Sequence, residues 1–359
     1  RYRLYLKSDL KGEFIMDRKL GVAVIGPGWS GGEHIKAYMH NPHTEVLAIC
    51  CRDKSRAKAK MDEVGIDSCS IYTDYEQILK RDDIDIISIC TPNDRHVKEA
   101  VMAAQAGKHF LLEKPIALNV DELKELRDAT RKAKVKTVVG FVLRWNPLFE
   151  TIKPLIDDDA IGRVFYGEVD YYHGIGPWYK QYEWNVKKNI GGSTLLSAGC
   201  HAVDGLRFFL GDEAVEVTAY STRSKNPNFE LYEYDPTMVT IIKFKSGIVG
   251  KVASSIDCIT PYVFNIHLLG DKGTIRNNQL FAPSKMPGQK GFAVIPTILP
   301  DSGDVTDHPY LGEIDHLVDC VLNDKESFVN VEDAIKTHEI CLGAEISAAE
   351  GRSVKLPLI

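Results

Sequence analysis

The 359-residue sequence predicts an α/β protein of two domains, a doubly wound parallel sheet followed by an α+β domain built on a large, mostly antiparallel sheet. Length is the first reason, because one core rarely serves more than about 200 residues. The second is the rhythm between Leu20 and Val142, where short apolar runs alternate with helical stretches, as parallel strands covered on both faces do. The third is a change after Arg144, where strands lengthen and hairpin turns join them. These observations place domains at 19–141 and 142–359, behind a polar leader or arm at 1–18 in which Met16 offers a second start.

In chain order, Leu20 to Ile25 reads as a strand, a glycine turn and a helix follow, and Val46 to Cys50 is the next strand. A helix over Ser55 to Val64, a strand over Ile84 to Cys90, a helix from His96 to Ala106 stopped by Gly107, and a strand over His109 to Leu112 continue the alternation. Asn119 with Glu122 three residues on has the spacing of a capping box and opens another helix, and Thr137 to Val142 closes the series. In the second domain Val239 to Phe244 and Ile248 to Ile256 flank Lys245-Ser246-Gly247, while Phe264 to Leu269 and a strand from Thr274 flank Gly270-Asp271-Lys272-Gly273. Helices over Tyr310 to Leu322 and Val331 to Ala349 end the chain.

With 44 Lys and Arg against 50 Asp and Glu, the net charge of -6 speaks against nucleic acid as a partner, since that affinity rests on neutralised phosphates. The eight cysteines show no zinc or redox spacing and predict free thiols in a reducing compartment. No run approaches the roughly 18 apolar residues of a membrane span, and the basic start lacks a signal peptide's apolar core. A cytoplasmic protein without membrane contact is the expectation. His40 and His43 share a turn with no carboxylate or thiolate at ligand spacing, so no metal is expected either.

Gly26-Pro27-Gly28-Trp29-Ser30-Gly31 follows the first strand and opens the first helix, and so meets G-x-G-x-x-G in the setting that gives it meaning. The first glycine permits the tight turn, the second lets a pyrophosphate approach the backbone, and the helix start offers it free N–H groups. Gly28-Trp29-Ser30-Gly31-Gly32 also spells a serine-hydrolase elbow, but such an elbow follows several earlier strands and has no use for Gly26. About 20 residues on, where an acid would hold the ribose of NAD, the strand tip is Cys51 followed by Arg52 and Arg56. Two guanidinium groups there suit a 2′-phosphate and favour NADP over NAD, the other reading being solvated arginines with Asp53 on the ribose.

Further on come Thr91-Pro92-Asn93 with His96, Glu113-Lys114-Pro115, Arg144-Trp145-Asn146-Pro147, and Gly191 to Asp204 containing Ser197 and His201. In this order, behind the glycines and His34, they resemble the glucose-fructose oxidoreductase, inositol dehydrogenase and rhizopine-catabolism family from about Lys19 to the end of the chain. The resemblance implies a Rossmann domain, an open-faced second sheet and an active site in the cleft between them. It implies cofactor contacts from Thr91, Pro92, Asn93, His96, Glu113 and Lys114, a proline at 115 often cis, substrate contacts from Arg144 and Ser197, and catalysis by Lys114 and His201. Arg52 and Arg56 resemble the arginine pair of NADP-using dihydrodiol dehydrogenases. Alcohol oxidation needs a group to accept the hydroxyl proton, for which histidine is suited, and a cation to polarise the oxygen, for which lysine is. Ser197 stands where many of the family carry an aspartate, which leaves open what orients His201; Asp204 is a candidate.

Tyr172 and His173 at a strand end, with Trp178 in the following glycine-containing loop, suit a pocket for a hydroxylated ring, or equally a seam between domains or subunits. The expected function is an NAD(P)-dependent oxidoreductase acting on a secondary alcohol of a sugar, sugar derivative or cyclitol, as a homodimer or homotetramer. The alternatives are a non-enzymatic NADP sensor and an NAD-dependent glycosidase or lyase using transient oxidation.

Overall fold

Six short strands, β1 (Leu20–Ile25), β2 (Thr44–Cys50), β3 (Ser70–Tyr72), β4 (Ile86–Ile89), β5 (His109–Leu112) and β6 (Thr137–Val139), form an all-parallel sheet in the order β3-β2-β1-β4-β5-β6. The structure is a computed structural model that describes residues 18–359, so residues 1–17 of the expected leader lie outside it. Helices α1 (Trp29–His40), α2 (Lys54–Val64), α3 (Tyr75–Leu79), α4 (His96–Gln105) and α5 (Val120–Ala133) connect the strands. β1 and β4 are almost wholly buried and apolar but for Ser88, as strands covered on both faces must be. Sequence rhythm missed β3 and α3 because elements of three and five residues are too short to show a period. The Asn119 cap forms, its Oδ1 accepting from Glu122 N at 2.9 Å, while Glu122 reaches back to Leu118 N at 2.7 Å.

The order of strands reverses direction between β1 and β4, the switch point where sheets of this kind form a crevice at the strands' carboxyl ends. The chain then crosses through α6 (Pro147–Asp157) into a nine-stranded sheet. Its strands are β7 (Val164–Tyr172), β8 (Ala214–Thr222), β9 (Thr237–Phe244), β10 (Val249–Ser255), β11 (Val263–Gly270), β12 (Thr274–Arg276), β13 (Gln279–Phe281), β14 (Ala293–Val294) and β16 (Val354–Lys355), while β15 (Ser302–Val305) pairs with no strand of either sheet among the described residues. Only the β7–β10 pair is parallel. Short helices α7 (Tyr182–Asn185) and α8 (Lys188–Gly191) precede α9 (Cys200–Leu210), and α10 (Tyr310–Leu322) and α11 (Val331–Glu350) follow the sheet.

One sheet face is covered: Leu206 of α9 lies over Gly167 and Gly250, and Gly343 of α11 over Val217. The other face is open and carries Tyr220, Val239, Ile241 and Val249, all exposed and on neighbouring strands in register. α10 returns to pack on α1, so the second domain's chain also supports the first domain's glycine turn. No helix among the described residues is long and apolar enough to cross a membrane.

Candidate active site

The glycine turn has the shape of a phosphate cradle. Gly26 has φ +81°, and a Cβ there would meet Cys90 O at 2.6 Å, so only glycine fits. Gly28 opens α1 with nothing within 4 Å of where a Cβ would stand, and the helix start has no side-chain cap and no acidic residue in its first turn. Unclaimed N–H groups, the positive end of a helix and open space suit a diphosphate. Trp29 is half exposed beside the turn and sets its edge against Tyr310 at 5.8 Å. Ser30 lies in the first turn of α1 with no histidine bonded to it among the described residues, which leaves the hydrolase elbow without its base. At the β2 tip Asp53 caps α2 through Ser55 N at 2.8 Å, and the Ser55 bonds hold its carboxyl below the usual range. Arg52 and Arg56 are exposed and in no ion pair among the described residues.

Across the crevice the Glu113–Ile116 segment turns sharply after β5, with a cis Lys114–Pro115 bond. Its polar groups are held by buried histidines. His34 of α1 lies 3.3 Å from Glu113 Oε1, His96 of α4 bonds Pro115 O at 2.7 Å, and His338 of α11 accepts from Ile116 N at 3.0 Å. Burial disfavours the charged His34, but Cys90 and Glu113 outweigh it and hold the imidazole well above its usual value. Burial likewise pushes Glu113 up, and His34, Lys114 and His96 outweigh it in the other direction.

The Lys114 ammonium reaches into the second domain and donates to Ser197 O at 3.0 Å. Ser197 lies in a π-helical turn, Leu195–Gly199, that runs directly into α9, and His201 follows one turn later. The wide turn sits tight against β10: a Cβ on Gly199 would meet Ser254 Oγ at 2.5 Å. Such π-turns are frequent at functional sites. His201 is 4 % exposed, and its Nδ1 is buried without a hydrogen-bond partner among the described residues. Burial, then the Lys114 cation, then His308, hold its pKa well below the usual value, so the ring is neutral near pH 7. It stands between Phe141, Tyr171 and His308 at centroid distances of 6.1, 6.3 and 6.1 Å. Lys114 thus reaches the turn that leads into His201, near enough for its charge to act on that ring.

Several expected contact residues stand elsewhere. Arg144 is buried, its guanidinium bonded to Asp204 at 2.6 and 2.8 Å, to Asp333 and to Phe328 O, so it ties elements together and is not available to a substrate. The same bonds, with one from Thr337, occupy Asp204, which therefore does not orient His201. The Ser197 hydroxyl is taken up by Asn185, Gly191 O and Tyr234; its carbonyl is what touches the site. The carboxylate of Glu113 and both ring nitrogens of His96 are likewise spent on the protein, His96 bonding Thr91 O at 2.8 Å, so both support the cleft without facing a cofactor. Thr91 Oγ1 donates to Glu99, and Pro92 and Asn93 continue from it at the carboxyl end of β4, the crevice side. Trp178 is exposed and meets Phe229.

Strand parity corrects Tyr172. Residues 171 and 173 point to the helix-covered face where His201 lies, so Tyr172 points to the open one, beside Asp170 and Lys251. Tyr171 takes its place, bonding His173 at 3.2 Å, and His173 bonds Tyr179 at 2.6 Å. Tyr262 and His308 complete this ring cluster. Parity was a signal for Tyr171; Tyr262 and His308 arrive from distant segments and left none. Among the described residues no three His, Cys, Asp or Glu side chains gather as a metal site requires.

Residues 20–141 match the model of an oxidoreductase family with an NAD-binding Rossmann fold, and 149–276 match the GFO/IDH/MocA C-terminal domain. An uncharacterized oxidoreductase, YrbE, of Bacillus subtilis (strain 168) is 30% identical over 261 residues, covering 72% of this chain and 74% of that protein. The scyllo-inositol 2-dehydrogenase (NAD(+)) of the same organism is 28% identical over 95% of this chain and 97% of its own. A levoglucosan dehydrogenase solved with NADH superposes with a TM-score of 0.85 over 95% of this chain and all of that one; at 23% identity this likeness speaks to the fold.

Proposed function

The chain belongs to the GFO/IDH/MocA oxidoreductase family, and from that premise we propose that its cleft moves a hydride between the nicotinamide of NAD(P) and a secondary alcohol, or the matching ketone, of a sugar, sugar derivative or cyclitol. The approach of Lys114 to the turn that leads into His201 carries this reading. A bound nicotinamide supplies the carbon that accepts or returns the hydride. Lys114 keeps ammonium protons beyond the one given to Ser197 O, and donates one to the substrate oxygen, polarising it. His201, held neutral, takes the hydroxyl proton on a ring nitrogen as the carbon–hydrogen bond breaks, and as imidazolium returns it in the reverse direction. The ring cluster of Tyr171, His173 and Tyr262 offers apolar faces and polar tips to a hydroxylated ring.

The same proposal includes a preference for NADP, supported by the two exposed arginines beside an Asp53 already spent as a helix cap. It includes a homo-oligomer in which the exposed apolar rows of the open sheet face are covered by another copy. A cytoplasmic setting fits the eight free cysteines. The test is a panel of myo-inositol, scyllo-inositol, levoglucosan, D-xylose and D-glucose, followed at the nicotinamide absorbance with each cofactor. Turnover that depends on added NAD(P) supports a dehydrogenase; turnover without it would point to transient oxidation instead. Arg52→Ala should weaken NADP binding about tenfold and NAD binding less than about twofold, one lost phosphate contact being on the order of 1–2 kcal/mol; equal losses reject the preference.

A further inference from the structure

Four consecutive residues, Glu113 to Ile116, are gripped by three histidines from three different helices, and each histidine is itself anchored at its other nitrogen. His34 of α1 faces the Glu113 carboxylate at 3.3 Å from Nε2, an ion-pair contact without hydrogen-bond geometry, while its Nδ1 bonds Ser88 Oγ of β4 at 2.6 Å. His96 of α4 bonds Pro115 O through Nδ1 and Thr91 O through Nε2. His338 of α11 accepts from Ile116 N–H at Nε2, which fixes its proton on Nδ1, and that proton goes to Ala334 O at 2.8 Å. All three rings are 0–1 % exposed. Each is a strut with one end on a regular element and the other on the segment that carries Lys114.

We infer that His34, His96 and His338 are positioning residues for Lys114, which fix the backbone from which its ammonium reaches the cleft. This rests on the reading of Lys114 as the group that polarises the substrate oxygen. The glycine turn binds the dinucleotide through α1, and α1 also supplies His34, so the lysine is set relative to the same helix that places the cofactor. α11 belongs to the second domain's part of the chain, so His338 ties that part to the same segment. A side chain that must meet a reacting oxygen within a few tenths of an ångström needs such a base, because misplacement by about 1 Å costs on the order of 10²-fold in rate. His338 is held neutral with its pKa pushed down to about 4, by burial first, which the bond to Ala334 O opposes and the Arg207 and Lys114 cations reinforce, so its accepting nitrogen stays free for Ile116 N–H across the neutral range.

The decisive pair is His338→Gln, whose side-chain oxygen keeps an acceptor near the Nε2 position, and His338→Leu, which removes it; His34→Gln and His34→Leu form the second pair. Rates are measured on whichever sugar of the panel the parent oxidises fastest, with thermal midpoint and NADH and NADPH titrations alongside. A second arm needs no substrate: trinitrobenzenesulfonate labelling of Lys114, read by peptide mass spectrometry against exposed Lys285. The leucine variants should lose about 10–100-fold in kcat with KM and dinucleotide affinity within about threefold, and change Lys114 labelling at least about threefold, while the glutamine variants stay within about fivefold in kcat. Folded leucine variants with parental kcat and parental Lys114 labelling would overturn the inference. So would glutamine variants as slow as leucine ones. If no panel sugar is oxidised, the proposed function is what fails, and labelling still decides the struts.

Discussion

On the first-domain side of the cleft, the segment carrying Lys114 is fastened by hydrogen bonds to β4, α4 and α11 and by the His34–Glu113 ion pair to α1, whereas on the second-domain side His201 is held by rings on three sides and its buried Nδ1 has no partner among the described residues. The lysine is placed by polar bonds of defined direction; the histidine is placed by shape. A hydrogen-bonded base fixes a charged group without neutralising it, because the bonds go to the backbone and leave the ammonium to point outward. A shape-held imidazole has no carboxylate to stabilise its charged form, so it stays neutral and ready to take a proton. The serine at 197 belongs to this arrangement: its hydroxyl braces α7 and Tyr234, and its carbonyl receives the lysine.

The sharpest way to break the comparison is to remove each group in turn. Lys114→Ala should lower kcat by about 10²–10³-fold, the loss of one preorganised donor to a developing oxyanion, and His201→Ala by about 10²–10⁴-fold, the usual worth of a general base. Dinucleotide titrations should stay within about twofold for both. Parental turnover in either variant would remove that residue from the chemistry.

Next in size is a variant on the packed side that touches neither group. Arg144→Ala leaves the buried Asp204 without its cation and the half-buried Asp333 with Arg207 alone, and should cost about 3–5 kcal/mol in denaturant unfolding. A loss under about 1 kcal/mol would mean the network contributes little to holding α9, and that His201 is placed by something other than this scaffold.

A smaller effect lies in the pH profile. With its pKa held below the usual 6.5, His201 remains an effective base into mildly acidic solution, so alcohol oxidation should hold its rate below about pH 6. The linkage has the same sign: the folded state binds the proton less well than the unfolded chain, so this contribution to stability is full above about pH 6.5 and is lost as pH falls below it. Ser197→Asp would put a carboxylate one helical turn from the ring, as in many family members, and should move the acid limb up by about one pH unit. An unmoved limb would show that position 197 does not reach His201 electrostatically.

These differences also explain what was legible in the sequence. The parallel sheet, the glycine turn and the Asn119 cap are written in contiguous residues whose spacing reflects local geometry and could be read off directly, whereas the Lys114 segment stood out only through its resemblance to the family. Arg144 could not: an arginine in a motif looks like a ligand contact until Asp204 and Asp333, about 60 and 190 residues away, are seen around it. His308 and Tyr262 reach His201 and the ring cluster only through the tertiary fold, and His338 reaches Ile116 from 222 residues downstream. Polar bonds between neighbours leave a pattern, and packing between distant rings does not.

The finest test of the shape-held wall is a pair of adjacent tyrosines on β7. Tyr171 faces His201 at a 20° interplanar angle and bonds His173, while Tyr172 occupies the opposite face of the sheet. Tyr171→Phe keeps the ring but loses a hydrogen bond worth about 1 kcal/mol, which loosens His173 at the pocket and should raise KM about fivefold with kcat little changed. Tyr172→Phe should leave both within about 1.5-fold, since a half-buried hydroxyl on the far face contributes only a few tenths of a kcal/mol. If the two substitutions trade places, with KM moving for Tyr172 and not for Tyr171, the helix-covered face is not where the substrate ring binds. Because the two residues share strand, chemistry and size, only the side of the sheet differs between them, and the comparison isolates it.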